Sequence, residues 1–289
     1  MEKTWRWLGK EDEFTLSMLR QIGVEGIVTA LYNIPVGEVW PQETVTELSD
    51  FIKEAGMRWS VVDNLPLSKT IMLGGENADK LIINYIQNLA NLGEAGINTV
   101  CYDITTIVSN DLSIDSNAST NAIDVKENIK YFLSQLMPVC EEYNINLCIN
   151  HGKLSSTTAG LLNTGTCEND IEWLLKAVDN PYNGIAIHID SSSTEALINV
   201  LQFVKTFTSR INFINYFDAE IISIGKDTDP SRLEDRAKLI ELIRIFEKEK
   251  PFIPFCIDKA PYPARSIQNR MYAFAQIDGI IATIQSKNG

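Results

Sequence analysis

Eight short apolar runs alternate along this chain with longer amphipathic stretches, and that order restricts the fold more than any other feature. The runs are TWRW (4–7), GIVTAL (26–31), RWSVVD (58–63), NTVCYDI (98–104), INLCINH (145–151), GIAIHID (184–190), INFINYF (211–217) and FIPFCID (252–258). Most are continuously apolar instead of alternating, the pattern of parallel strands covered on both faces. Parallel neighbours need long crossovers, and the intervening stretches supply them. Their periodicity predicts helices over 16–22, 44–55, 78–92, 125–143, 171–178, 193–208, 232–248 and 266–284. Gly23 is placed to end the first as a C-cap, and SSSTEAL and DPSRLED carry N-cap residues where helices should begin. Eight β-then-α units predict an α/β fold, the (β/α)8 or TIM barrel. No linker, repeat or basic tail divides residues 1–289, so one domain is expected. The Ser/Asn/Asp-rich stretch 109–121 reads as a loop after the fourth strand.

Charge narrows the partners. The formal net charge is −13, with no Lys/Arg cluster to interrupt it, so neither nucleic acid nor an anionic membrane is expected to bind. A small anionic substrate would need cations gathered locally. Cys101, Cys140, Cys148, Cys167 and Cys256 are scattered and form no C-x-x-C pair, which speaks against both a disulfide framework and a thiolate zinc site. The stretch MEKTWRWLGK has no apolar h-region, and no run of about eighteen apolar residues occurs. A soluble, cytoplasmic protein is expected.

In such a barrel the active site lies at the C-terminal ends of the strands. The polar residues there are Arg6, Asp63, Asn64, Tyr102, Asp103, Asn150, His151, His188, Asp190, Asn215, Asp258 and Lys259, with Arg265 and Arg270 approaching the last helix. His188 sits among apolar neighbours with Asp190 on the same strand face, so the two can share a metal or a proton, or form a structural pair. Asp258 ends an apolar strand and needs a cation, for which Lys259 is at hand. Arg6, between two tryptophans, is either a carboxylate clamp or a guanidinium stacked on an aromatic face. Asp63, Asp103 and Asp190 also fit as helix N-caps or loop residues. No phosphate-cradling glycine loop and no serine nucleophile elbow is present. What remains is metal or acid–base chemistry on a small molecule.

KTWRWLG, GIVTALYNIPVGEVWP, RWSVVDNLPL and INTVCYD, followed by NPYNGIAIHIDSSS, RINFINYFDA, FIPFCID and NRMYAFAQIDGIIATI, closely resemble the mannonate dehydratase family. The resemblance runs nearly end to end. It implies a barrel of the xylose-isomerase-like class that uses Mn²⁺ or Fe²⁺ to dehydrate D-mannonate to 2-keto-3-deoxy-D-gluconate, and a homo-oligomer is an expectation for this barrel type. The family draws its metal site from the last four strands: a histidine, a cysteine, a second histidine and an aspartate. By the resemblance, Asn150, His188, Asn215 and Asp258 stand in those four places. Lys259 replaces the histidine that follows the aspartate, and Tyr262 is the nearest counterpart of the catalytic tyrosine, out of register in a shortened segment. The long family insertion after the fourth strand is reduced to the loop 109–121. His151 falls one place beyond the ligand slot, and a one-residue shift turns a strand side chain to the other face unless the strand bulges.

The resemblance therefore implies a divalent metal, Mn²⁺ foremost with Fe²⁺ or Mg²⁺ as alternatives, held by Asn150, His188, Asn215 and Asp258. Amides in place of imidazoles favour a harder, weakly held ion. Lys259 is the expected base, Tyr262 the second catalytic candidate, and Arg6 and Arg270 the expected holders of the substrate carboxylate. Two alternatives stand beside the lyase: a relative that binds a sugar acid or partner without turnover, and a sugar isomerase or epimerase of the same barrel class.

Overall fold

Alternation inside each strand fixes what faces the barrel interior and what faces the helices. The computed structural model describes residues 1–104, 122–150, 167–190, 194–217, 230–258 and 267–286. In chain order the elements are β1 (Glu2–Arg6), α1 (Leu16–Gln21), β2 (Gly26–Thr29), α2 (Gln42–Glu54), β3 (Arg58–Val62), α3 (Lys69–Met72), α4 (Ala78–Glu94) and β4 (Thr99–Tyr102). There follow α5 (Ala122–Tyr143), β5 (Asn146–Asn150), α6 (Cys167–Ala177), β6 (Asn183–Asp190), α7 (Thr194–Phe207), β7 (Ile211–Phe217), α8 (Pro230–Glu249), β8 (Pro254–Asp258) and α9 (Ile267–Ser286). Each strand pairs in parallel with its neighbours in sequence, and β8 returns to β1, closing the barrel. Closure leaves no strand edge unpaired.

The (β/α)8 expectation is met, and the strand ends differ from the expected ones by no more than two residues. Local chemistry explains several boundaries. Thr15 caps α1, its hydroxyl accepting the Met18 amide at 3.3 Å, and Gly23 ends that unit at φ +83°. The short α3 was not foreseen. Ser68 caps it by accepting the Thr70 amide, a signal too brief to stand out from a loop. The expected loop 109–121 and the N-cap residues of SSSTEAL and DPSRLED lie outside the described residues.

The buried residues divide into two clusters. Val28, Val61, Cys101, Cys148, Ala186, Phe213 and Cys256 fill the barrel interior, one from each strand except β1. Thr4 of β1 completes that level, paired in register with Cys256. The strand residues between them, such as Ile27, Val62, Ile149, Ile187 and Ile257, point outward and pack on the helices through Leu19, Ile52, Leu89, Phe132 and Ile243. Each such side chain contributes about 1.5–3 kcal/mol by leaving water. Trp5 packs edge-on against Phe14 at 5.2 Å and Trp7 stacks on Phe51 of α2 at 6.1 Å, so both tryptophans belong to the helical layer and Arg6 between them turns inward.

Candidate functional site

Two residues beyond the apolar interior layer, the same faces become polar. Arg6, Asp63, Asp103, Asn150, His188 and Asn215 each follow by two a residue of that layer: Thr4, Val61, Cys101, Cys148, Ala186 and Phe213. The strand period of two therefore puts them on the inner face, one level nearer the C-terminal mouth. Register joins their strands: His188 lies opposite Asn215, Asn215 opposite Cys256, and Phe217 opposite Asp258. Asp258, two beyond Cys256, falls on the same inner row, although its side chain is outside the described residues. A register shift between Ile185 and Ala186 lies just before His188, the kind of irregularity found where a strand re-aims a functional side chain.

These side chains form one connected chain of contacts. Arg6 pairs through Nη1 with the Asp63 carboxylate, both side chains largely buried. Its Nη2 donates to Asn215 Oδ1 at 3.2 Å. The Nδ2 of the same amide lies 3.4 Å from His188 Nε2, and Asn150 Oδ1 lies 2.6 Å from that nitrogen. Asn150 and Asn215 are 2% and 0% exposed, so neither has solvent to satisfy it. A guanidinium only donates, which fixes the Asn215 oxygen toward Arg6 and its NH₂ toward the imidazole. The short contact to Asn150 Oδ1 then assigns the ring proton to Nε2 in this arrangement.

Tyr32 adds a group that the sequence reading passed over. It stands half-exposed just past β2, and burial together with the Asp63 carboxylate pushes its hydroxyl up to about 12, against the pull of Arg6 and a hydrogen bond with Thr29. The phenol is therefore a proton donor throughout the neutral range. Its position beyond a strand end was the signal available, since every C-terminal strand end contributes to this face. Asp63, read as an N-cap or loop residue among other roles, is the ion-pair partner of Arg6.

The described donors at the mouth are one imidazole and two neutral amides. His188 Nε2 and Asn150 Oδ1 converge on one point, Asn215 is the third group at that point, and Asp258 shares their row. An imidazole and neutral amides take a hard ion such as Mn²⁺ or Mg²⁺ only weakly. Two features oppose a cation at that point: the Asn215 oxygen is turned to Arg6, and His188 Nε2 carries the proton it gives to Asn150. Among the described residues no group of three His, Cys, Asp or Glu side chains gathers in the way a tightly held transition metal demands. Of the other expected residues, His151, Lys259, Tyr262 and Arg265 lie outside the described residues, and Arg270 is placed on α9 by its backbone alone.

A cavity of about 600 Å³ lies at the opposite end of the barrel, bordered by Glu2, Arg58, Ser60, Asn146 and Lys250 at the strand starts. It contains none of the expected site residues. Most of its polar groups are occupied: Glu2 Oε1 accepts from Arg58 and Ser60, each at 2.6 Å, and Lys250 donates to Ser209 O, Ile211 O and Asn212 Oδ1, while the buried Glu2 Oε2 has no hydrogen-bond partner among the described residues. That is the face of a TIM barrel concerned with stability.

Comparison with known proteins follows the same lines. A family model described as D-mannonate dehydratase (UxuA) matches residues 1–120 and 104–288. The mannonate dehydratase of Thermotoga neapolitana is 31% identical over 272 residues, covering 74% of this chain and 76% of that protein. That of Streptococcus uberis is 27% identical over 274 residues, covering 78% of each. The solved mannonate dehydratase from Streptococcus suis serotype 2 superposes with a TM-score of 0.72 at 22% identity, over 100% of this chain and 96% of that one. A D-tagatose 3-epimerase-like protein superposes with a TM-score of 0.61 at 12% identity over the whole of both chains, a likeness of fold alone.

Proposed function

The chain belongs to the D-mannonate dehydratase family, and from that premise we propose that it removes water from a sugar acid of the D-mannonate type at the C-terminal mouth of its barrel. The observation that carries the reading is the connected polar layer Asp63–Arg6–Asn215–His188–Asn150. Arg6, held in place by Asp63, binds the substrate carboxylate, with Arg270 as the second proposed cation. Lys259 takes the proton from C2, and Tyr262 delivers a proton to the departing 3-hydroxyl. Loss of that proton and hydroxyl amounts to one water, and the enol left behind tautomerises to 2-keto-3-deoxy-D-gluconate. Asn150, His188, Asn215 and Asp258 would hold a divalent ion, Mn²⁺ foremost. When bound, the ion supplies Lewis acidity toward the negative charge that develops as the C2 proton leaves. Buried free thiols at Cys101, Cys140, Cys148 and Cys256 support a reducing, cytoplasmic setting as part of the proposal.

The test is product formation. Protein purified with MnCl₂ is incubated with D-mannonate and the mixture assayed for a 2-keto-3-deoxy acid lighter than the substrate by one water. A product of unchanged mass points to an isomerase. No product at all, with no metal retained, overturns the lyase reading. One observation favours a second reading: His188 is taken up by Asn150 and the Asn215 oxygen by Arg6, which suits a sugar-acid binder without turnover. Calorimetric binding of D-mannonate with no change in its mass would select it.

A further inference from the structure

We infer that the cavity at the base of the barrel is a second binding site, separate from the mouth, for a small hydroxylated anion. The inference is independent of how the mouth is read. It starts from Glu2, which lies on the inner face of β1 two residues before Thr4 and is 5% exposed. Its Oε1 accepts from Arg58 Nε and Ser60 Oγ, while Oε2 has no hydrogen-bond partner among the described residues. A buried carboxylate oxygen without a donor is costly, and a group from outside the chain can supply the missing hydrogen. Gly26 on the neighbouring strand makes room for the carboxylate, since a Cβ there would overlap Ser60 Oγ and Glu2 Oε1.

The rest of the lining selects charge. Among its described residues Lys53, Arg58 and Lys250 are cations and Glu2 is the one carboxylate, in a chain of net charge −13. Lys250 spends its three hydrogens on Ser209 O, Ile211 O and Asn212 Oδ1, so it contributes charge alone. Arg58 gives Nε to Glu2, and its Nη groups have no hydrogen-bond partner among the described residues. Lys53 stands exposed on the last turn of α2, and the nearly buried Thr99 borders the same space. Cations with unspent hydrogens call for an anion, and an oxygen without a donor calls for a hydroxyl on the same molecule. The anionic group, carboxylate or phosphate, pairs with Arg58 and Lys53. The hydroxyl donates to Glu2 Oε2, which turns to meet it about a soft terminal torsion. A cavity of about 600 Å³ suits a ligand of that size.

The experiment is nitrogen NMR of the wild-type protein labelled at glycine, titrated with D-gluconate, glycerol 3-phosphate, acetate and D-mannitol. Gly96 borders the cavity, whereas Gly9 and Gly37 follow β1 and β2 on the mouth side. Gly96 should shift with D-gluconate or glycerol 3-phosphate at concentrations about tenfold below those needed for acetate or D-mannitol, the scale of one charge-assisted hydrogen bond. The tighter of the two hydroxylated anions identifies the charged group. Lys53→Ala combined with Thr99→Val should raise the concentration that moves Gly96 by about tenfold and leave Gly9 and Gly37 responding to D-gluconate as before. A Gly96 signal that moves with none of the four, or alike with all of them, overturns the site, as does a variant that responds like the wild type. If the variant does not fold, the comparison of the four compounds on the wild type decides. Shifts at Gly9 and Gly37 without one at Gly96 overturn the base site and leave the proposed lyase site standing.

Discussion

Arg6 carries its charge into a nearly closed layer, and its two partners divide the work of keeping it there. Asp63 neutralises it and Asn215 takes a remaining hydrogen. Removing one member of such a pair leaves an uncompensated cation. Asp63→Asn should therefore lower stability by about 2–3 kcal/mol in urea denaturation, somewhat under the range for a fully buried pair. Asp170 presents the opposite case. It is 0% exposed, neither carboxylate oxygen has a hydrogen-bond partner among the described residues, and burial raises its pKa to about 6 despite the pull of Lys126. The folded value lies above the ordinary 3.8, so the unfolded chain releases this proton first as pH rises. The contribution is complete below the ordinary value, shrinks through that window, and is lost above about 6. Asp170→Asn should gain roughly 1–2 kcal/mol over the wild type near pH 7.5, and urea midpoints should show the gap closing toward pH 4.

Elements were legible in proportion to how local their causes are. Strands β5 to β8 stood out as apolar runs because both faces are covered, one by the interior layer and one by helices. Where the strands begin and end depends on pairing partners: β4 meets β3 through a single register pair at Val62 and Val100, and its ladder with β5 ends at Tyr102 opposite Ile149, short of its apolar run. Packing between elements was invisible altogether. Gly93, near the end of α4, reads as a weak point in a helix, and alanine there should help by about 1 kcal/mol on propensity. In the fold, a Cβ at that position would stand 2.5 Å from Tyr143 Cγ at the end of α5. Overpacking of this kind costs about 1–3 kcal/mol. Gly93→Ala is expected to be net destabilising, with a lower urea midpoint and an unchanged slope.

The whole molecule is a closed ring in which the first strand is fastened by the last, so the site at its mouth is shared by strands far apart in sequence. Ligands proposed to bind there should stabilise all of it. With MnCl₂ at about a hundred times its dissociation constant, the native state should gain about 2.7 kcal/mol. The melting temperature should then rise by about 5 °C. Chelation of the metal should remove most of that rise.

By itself the sequence determined the count of β-then-α units, their order, and the faces on which Arg6, Asn150, His188 and Asn215 would lie, because strand and helix periods are properties of the local chain. Family likeness identified which of these positions matter. Only the tertiary structure decided that Asp63 neutralises Arg6, that Tyr32 stands at the rim, and that one asparagine is turned toward a cation instead of toward the imidazole. Those are choices among partners brought together by barrel closure. The orientation of a buried amide depends on every donor and acceptor within reach, and no spacing along the chain records which ones those are.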